Sequence, residues 1–152
     1  MSNKTNTLDV LQKVITGIEA QSLTHRYEAK VLGALGFSKL EEKYNDHASE
    51  ERDFADKFID RLLDLGGELK QCGAAATSIT DDVEAFFRQD KKVSEDGLET
   101  VNGIMASGDL DVTTYELFKE YLADEEEDLY WTDSQLDLIG LIGKQNYLVK
   151  ML

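Results

Sequence analysis

The sequence predicts an all-α fold built from four long helices, and three observations support this prediction. The 152-residue chain contains no proline, although the average usage of ~5% would give about seven or eight, and proline interrupts helix interiors. Apolar residues recur at alternating steps of three and four along four segments, which is the period of one helix face. No Asn-Gly or Asp-Gly pair is flanked by alternating apolar residues, and the one Asp-Gly pair, Asp96-Gly97, lies inside such a segment, so no hairpin is indicated.

The first two helices are predicted to form a pair joined by a short turn. The first runs from about residue 6 to residue 35, Gly36 ends it, and Ser38 suits the N-cap of the second. The inward seam of the first helix consists of Leu8, Leu11, Ile15, Ile18, Ser22, His25, Ala29 and Leu32. The second helix runs to about residue 65, and Gly66 and Gly67 end it. Its seam consists of Leu40, Tyr44, His47, Glu51, Phe54, Phe58, Leu62 and Leu65.

A second pair of helices follows a long connection. Residues 66–80 are small and polar, as in a surface crossover. The third helix begins near Thr80 or Asp81 and runs to about Ala106, with Val83, Phe87, Asp90, Ser94, Gly97, Val101 and Ile104 inward. The fourth begins after Asp109, with Leu117 or Phe118, Tyr121, Glu125, Asp128 or Leu129, Thr132, Leu136 and Ile139 inward. Gly140 and Gly143 then separate a short last segment. Short, long and short connections are the layout of the ferritin-like bundle.

Composition and charge exclude several classes of protein. Lys and Arg number 16 against 31 Asp and Glu, a net charge of −15, which argues against a nucleic-acid or anionic-membrane surface. The lone cysteine, Cys72, excludes an intrachain disulfide and is expected to be an exposed free thiol. The first ten residues lack the apolar stretch of a signal peptide. We therefore expect a cytoplasmic protein with one domain over residues 1–152.

Several polar residues interrupt the apolar seams near the middle of the helices: Ser22, His25, His47, Glu51, Asp90, Ser94, Glu125 and Asp128. Buried carboxylates need a cation, protons or water. Four-helix bundles hold two metal ions with two glutamates and two Glu-x-x-His pairs, but here Phe54 and Asp128 stand three residues after Glu51 and Glu125. On spacing alone, we interpret Phe54 as core and the acidic run 124–128 as mostly a solvated face.

From about residue 7 onward the chain resembles a bacterioferritin subunit. The resemblance is strongest over residues 131–139 (WTDSQLDLI) and 144–148 (KQNYL), and residues 55–61 (ADKFIDR), 65–67 (LGG) and 95–97 (EDG) support it. It implies a four-helix subunit with a short fifth helix. It also implies a hollow shell of 24 subunits in the cytoplasm that stores ferric mineral.

The resemblance also implies a di-iron oxidation centre, which this chain matches only in part. The positions of the family's six ligands hold, in chain order, Ile18, Glu51, Phe54, Ser94, Glu125 and Asp128. Two glutamates are thus retained, and Asp128 offers a third oxygen ligand. Glu19 and Glu95 are adjacent to two of the lost positions, but a shift to Glu19 breaks the seam. Phe54 occupies volume where an ion would lie.

The resemblance also implies two further iron-related features, a haem site and a residue pair on the inner surface of the shell. Its haem is held by a methionine from each of two subunits, and that position is Arg52 here, which has no lone pair for iron; haem is not expected. The family also uses a residue pair on the shell's inner surface, which corresponds to Asp46 and Glu50. These carboxylates can be interpreted as a lumenal iron site or as a solvated face.

Three hypotheses follow. The first is an iron-storage shell subunit without its own oxidation centre, which assembles alone or with an active bacterioferritin subunit and contributes shell and acidic lumen. The second is an iron-oxidising enzyme with a metal site rebuilt from Glu51, Glu125 and Asp128 with His47 or His25. The third is a non-storing structural protein on the same fold, since fold does not fix function.

Overall fold

The computed structural model describes residues 2–73 and 75–152, with side chains from residue 6 onward, and this part of the chain forms five helices and no strand. They are α1 (Ser2–Ala34), α2 (Ser38–Asp64), α3 (Val83–Ala106), α4 (Val112–Ile142) and α5 (Lys144–Lys150). Packing is closest between α1 and α2 and between α3 and α4. None of the helices in these two stretches is long and apolar enough to cross a bilayer.

The turn between α1 and α2 confirms Gly36 as the end of the first helix but corrects the cap of the second. Gly36 has φ +92°, and the Phe37 N–H donates to the Leu32 carbonyl at 3.0 Å, the pattern of a glycine-closed helix end. The N-cap of α2 is Phe37, with no side-chain hydrogen bond, and Ser38 is already helical. The predicted capping role of Ser38 is therefore wrong, because backbone bonds alone close this turn.

The long crossover between α2 and α3 is confirmed, and its end is fixed by an aspartate. The Asp82 side chain accepts a hydrogen bond from the Ala85 N–H at 3.0 Å and from Lys144 Nζ at 3.1 Å. Helix α3 therefore begins at Val83, slightly later than predicted. At the opposite end of the α3–α4 pair, Asp111 caps α4 in the same way.

The predicted short fifth helix is present, but Gly140 does not interrupt the fourth. Helix α4 continues through Gly140 to Ile142, and the chain turns at Gly143, where φ is +85°. Tyr147 then anchors α5, since its side chain is fully buried and its hydroxyl donates to Gln135 Oε1 at 2.8 Å. A glycine inside a helix loses conformational entropy but breaks no hydrogen bond, so only the positive φ of Gly143 ends α4.

The core consists of two apolar clusters separated by a polar layer. The first apolar cluster contains Leu11, Ile15, Ile18, Phe54, Ala55, Phe58, Leu62, Val101, Phe118 and Tyr121. The second apolar cluster contains Ala29, Leu32, Leu40, Tyr44, Val83, Phe86, Phe87, Ile139 and Tyr147. On each long helix, a buried ionisable residue lies between the segments that supply the two clusters: His25, Glu51, Asp90 and Glu125. The two clusters thus exclude water from both sides of this layer.

Candidate functional site

The polar layer, which we call the buried polar cluster, draws ionisable side chains from all four long helices. Its members are His25, Glu28, His47, Glu51, Asp90, Glu125 and Asp128. All are buried except Asp128, whose side chain is 16% exposed. The pairs on α1, α2 and α4 are three or four residues apart, so each pair shares one helix face. The inward positions that the sequence predicted are therefore confirmed for all of these residues except Glu28, which the predicted seam did not include.

His25 is clamped between two carboxylates. Its Nδ1 lies 2.5 Å from Glu51 Oε1, and its Nε2 lies 2.6 Å from Asp90 Oδ1. Burial lowers the pKa of His25, but the charge of Asp90 and the hydrogen bonds to both carboxylates outweigh burial and raise it well above its usual value. His25 therefore acts as an internal cation, with both nitrogens engaged.

His47 is the opposite case. Neither ring nitrogen has a hydrogen-bond partner among the described residues, and Nε2 lies 3.4 Å from Asp128 Oδ1. The ring packs edge-on against Tyr44 and Trp131, with centroids 5.2 Å and 5.6 Å away. Burial, followed by the charge of His25, lowers the pKa of His47 to about 3. The ring is therefore neutral and offers a nitrogen lone pair.

Three carboxylates of the buried polar cluster converge, and one of them, Asp128, lies beside His47. One oxygen each of Glu51, Glu125 and Asp128 can be chosen so that all three lie within 4.8 Å of one another. Burial, then the charges of neighbouring carboxylates, raises the pKa of Glu125 to about 8 and that of Asp128 to about 7. Such a group takes up either protons or a cation. Glu125 is the buried member of the acidic run 124–128, as its place on the predicted seam indicated.

Glu28 is a functional candidate that the sequence analysis missed. It is fully buried, and within the described part of the chain neither carboxyl oxygen has a hydrogen-bond partner. Burial, then the charge of Asp90, raises its pKa to about 7. Glu28, His25 and Asp90 line a cavity of about 500 Å³ between α1, α3 and the crossover. Glu28 lies three residues after His25 and therefore on the same helix face, but the predicted inward seam contained Ala29 instead.

Two of the positions that the resemblance assigns to the family's ligands, Ile18 and Phe54, lie on the apolar side of the cluster. Ile18 is 2% exposed and Phe54 is 8% exposed, and both belong to the first apolar cluster. The Phe54 ring packs against Tyr121 with centroids 5.4 Å apart. Ser94 is also buried, whereas its neighbour Glu95 is exposed.

The remaining candidate residues lie on the surface of α2. Asp46, Glu50 and Arg52 are all exposed. One oxygen of Glu50 lies within 4.8 Å of oxygens of Asp124 and Asp128. We call Glu50, Asp124 and Asp128 the outer acidic trio; Asp128 links it to the buried polar cluster. Asp46 is not part of this trio.

Known proteins resemble this chain over nearly its whole length. Residues 10–142 match the ferritin family through its ferritin-like domain. The bacterial ferritin of Neisseria meningitidis serogroup B is 31% identical over 143 residues, which are 92% of each chain. The bacterial ferritin of Pseudomonas aeruginosa is 29% identical over 153 residues, 97% of each chain. The bacterioferritin of Brucella melitensis is 28% identical over 120 residues, 78% of this chain and 74% of that protein.

Among solved structures, the bacterioferritin BfrA of Mycobacterium tuberculosis superposes with a TM-score of 0.91. The two sequences are 22% identical, and the superposition covers 97% of this chain and 94% of the other. This likeness confirms the predicted fold, a ferritin-like four-helix bundle with a short C-terminal helix. The family match over residues 10–142 and the 31% identity to a bacterial ferritin show that the chain belongs to the ferritin family, in which it resembles bacterial ferritins and bacterioferritins.

Proposed function

We propose that this chain is an iron-storage shell subunit in which the family's di-iron oxidation centre is not formed. Membership of the ferritin family supports the storage role. The observation that carries the rest is the position of Ile18 and Phe54, which pack in the first apolar cluster where two ligands would be required. Neither side chain has an atom that can donate to iron, so the residues present do not fit that centre.

The neighbouring carboxylates do not compensate for these losses. Glu19 and Glu95 are exposed, whereas Ile18 and Ser94 are buried. A one-residue shift rotates a helical side chain by about 100°, which moves these carboxylates away from the core. The oxidation of Fe²⁺ is therefore assigned to a partner subunit or to solution.

Mineral formation is assigned to exposed carboxylates on α2 and partly exposed carboxylates on α4. Asp46 and Glu50 are four residues apart and so share one face of α2, and the outer acidic trio adds Asp124 and Asp128. Carboxylate oxygens are hard donors that suit highly charged cations. The high negative charge of the chain, −15, also favours iron entry over nucleic-acid binding. Haem has no place in the proposal, because Arg52 has no lone pair for iron.

Assembly completes the proposal: the single ferritin-like domain forms a hollow 24-subunit shell in the cytoplasm, alone or mixed with an active bacterioferritin subunit. Large apolar side chains on the surface support subunit contacts; they include Leu23, Tyr27, Leu63, Val93, Tyr130, Leu141 and Val149. A native mass spectrum of the assembly from its source cells distinguishes the compositions. A mixed mass indicates a shared shell, whereas the lack of any large particle argues for a non-storing structural protein.

The oxidation centre is tested by the rate of aerobic Fe²⁺ oxidation. We expect the purified chain and Phe54→His to oxidise Fe²⁺ no faster than buffer, because Ile18 and Ser94 still lack ligand atoms. The matched positive control combines Ile18→Glu, Phe54→His, Ser94→Glu and Asp128→His. Recovery from Phe54→His alone would overturn the assignment of ligand positions. Fast oxidation by the unmodified chain would favour the enzyme hypothesis, with a site rebuilt around Glu51 and Glu125.

A further inference from the structure

A buried carboxyl group lies on the wall of a cavity that the proposed function does not use. The cavity, of about 500 Å³, lies between α1, α3 and the crossover. Glu28 lines it, is fully buried, and accepts no hydrogen bond at either carboxyl oxygen from any described residue. Burying a carboxyl group without hydrogen-bond donors is costly. The wall of the cavity therefore holds an acceptor group whose partner is still to be found.

The charges around the cavity favour a cation as that partner. The lining side chains that can carry a charge near neutral pH are His25, Glu28 and Asp90, and the described lining contains no lysine or arginine. Both nitrogens of His25 are already engaged, by Glu51 and by Asp90. The positive charge of His25 is thus shared by those two carboxylates, and Glu28 is left without a counter-ion.

An organic cation fits this cavity better than a metal ion. A metal ion needs several ligand atoms close to one point. Two groups of acidic side chains bring ligand atoms within 4.8 Å of one another, and Glu28 belongs to neither. The cavity also has an apolar side: three residues, which we call the apolar rim, line it and are exposed to solvent, namely Leu23, Tyr27 and Val93.

We propose that this cavity binds a primary alkylammonium ion, with its charged head at the Glu28 carboxylate and its hydrocarbon chain against the apolar rim. An ammonium head has three N–H donors, which suits a carboxylate with two unused acceptor oxygens. The Glu28 side chain must rotate toward the cavity to meet the head, and this rotation breaks no hydrogen bond to a described residue. Small-molecule sites occupy roughly 300–1,000 Å³, so the cavity has room for a chain of several carbons.

The site is independent of the proposed storage role. It shares no residue with the positions that the resemblance assigns to the family's iron ligands. Amine binding and slow iron oxidation are measured separately, so either can be wrong without affecting the other.

The competing occupant of the cavity is a second copy of this chain. The apolar rim is among the exposed apolar side chains that support subunit contacts in the proposed shell. A neighbouring subunit that covered the rim would exclude a soluble amine. An apolar contact alone, however, would leave the Glu28 carboxyl group without a donor, whereas an ammonium ion supplies both the charge and the N–H groups.

The test is isothermal titration calorimetry of the full-length assembled protein with hexylammonium chloride at pH 8. Burial and the charge of Asp90 raise the pKa of Glu28 to about 7, so the carboxyl group is ionised at this pH, while an alkylamine, like the lysine side chain, remains protonated. We expect one hexylammonium ion per chain, bound at least about tenfold more tightly than 1-hexanol, which has the same chain without the charge. Absence of binding, the result if a second copy covers the rim, would overturn the proposal.

The length of the hydrocarbon chain tests the apolar rim. Each methylene group that leaves water strengthens binding about two- to fourfold, so ethylammonium should bind at least about tenfold more weakly than hexylammonium. Val93→Asn removes apolar contact at the exposed rim and should weaken the binding of hexylammonium but not of ethylammonium. Equal affinities of the two amines for the unmodified protein would place the ligand outside the cavity and contradict the proposal.

Glu28→Gln locates the charged head. This variant keeps the shape of the side chain and removes its charge, so it should weaken hexylammonium binding at least about tenfold. Because it removes a buried charge without a partner, it is expected to fold, and circular dichroism and particle size check this. Glu19→Gln is the matched control, since Glu19 is exposed on the same helix, and should bind as the unmodified protein does. If both variants weaken binding equally, or if Glu28→Gln has no effect, general surface charge holds the amine and the proposal is wrong.

Discussion

Glu28→Gln should raise the free energy of unfolding above that of the unmodified chain at pH values above neutral. At acidic pH the gain should be smaller. Glu28 is buried with neither carboxyl oxygen hydrogen bonded to a described residue, and burial together with the charge of Asp90 raises its pKa from 4.5 to about 7. Between pH 4.5 and about 7, the Glu28 carboxyl group has lost its proton in the unfolded chain but keeps it in the native chain. Stability therefore falls as the pH rises through this window, and it falls no further above it.

The size of the effect follows from the same two pKa values. A tenfold difference in proton affinity corresponds to ~1.36 kcal/mol, so the interval from 4.5 to about 7 amounts to roughly 3 kcal/mol for a group sealed from water. Glu28 lines a cavity of about 500 Å³, which lets water screen the charge. We therefore expect the stability advantage of Glu28→Gln to grow by about 2 kcal/mol between pH 4 and pH 8.

The assay is guanidinium unfolding followed by circular dichroism across this pH range. Both proteins must be compared at one protomer concentration, because subunit association adds to apparent stability. Glu19→Gln is the matched control, since Glu19 is exposed on the same helix, and its difference from the unmodified chain should change little with pH. If the curves for Glu28→Gln and the unmodified chain run parallel from pH 4 to pH 8, the reasoning about this buried carboxyl is wrong.

Two further predictions concern stability alone. Phe118→Ala should lower the free energy of unfolding in urea by ~3–5 kcal/mol, because the ring is fully buried and its centroid lies 4.9 Å from that of Phe58. A loss below about 1 kcal/mol would mean that the first apolar cluster closes around the cavity left by the ring. Asp111→Ala should cost about 1–2 kcal/mol at pH 7, since Asp111 caps α4 at the Thr114 N–H and pairs with Arg61. Burial raises the pKa of Asp111, but the Thr114 hydrogen bonds and Arg61 outweigh it and lower the pKa. The cost should therefore shrink as the pH falls below about 4, and Asp111→Asn, which can still cap, should recover part of it.

The helical layout was predictable because the signal is local. The steps of three and four that identify a helix face lie within one segment of chain, and so do the glycines at residues 36 and 66. The errors were local too: Gly140 was expected, together with Gly143, to separate the last segment, but a glycine without a positive φ leaves the backbone hydrogen bonds of the helix intact. Ser38 was expected to cap the second helix, but its backbone is already helical.

The contrast between the two histidines could not be predicted from the sequence. His25 and His47 occupy equivalent inward positions, which the periodic pattern of the sequence does not distinguish. His25 finds its partners 26 and 65 residues away, on α2 and α3, while His47 has no hydrogen bond to any residue that the structure describes. Which carboxylate meets which ring depends on how the helices are rotated against one another, and a periodic pattern does not contain that rotation.

The sequence by itself determined the four-helix layout and the acidic charge, because each is a property of residue type and spacing. Only the tertiary structure decided which inward polar groups meet. It placed Phe54 in the first apolar cluster, joined His25 to Glu51 and Asp90, and left His47 beside Asp128 without a hydrogen bond to any described residue. It also buried Glu28, whose environment is created by α3 and the crossover. Burial and electrostatics arise between helices, so they exist only once the bundle has packed.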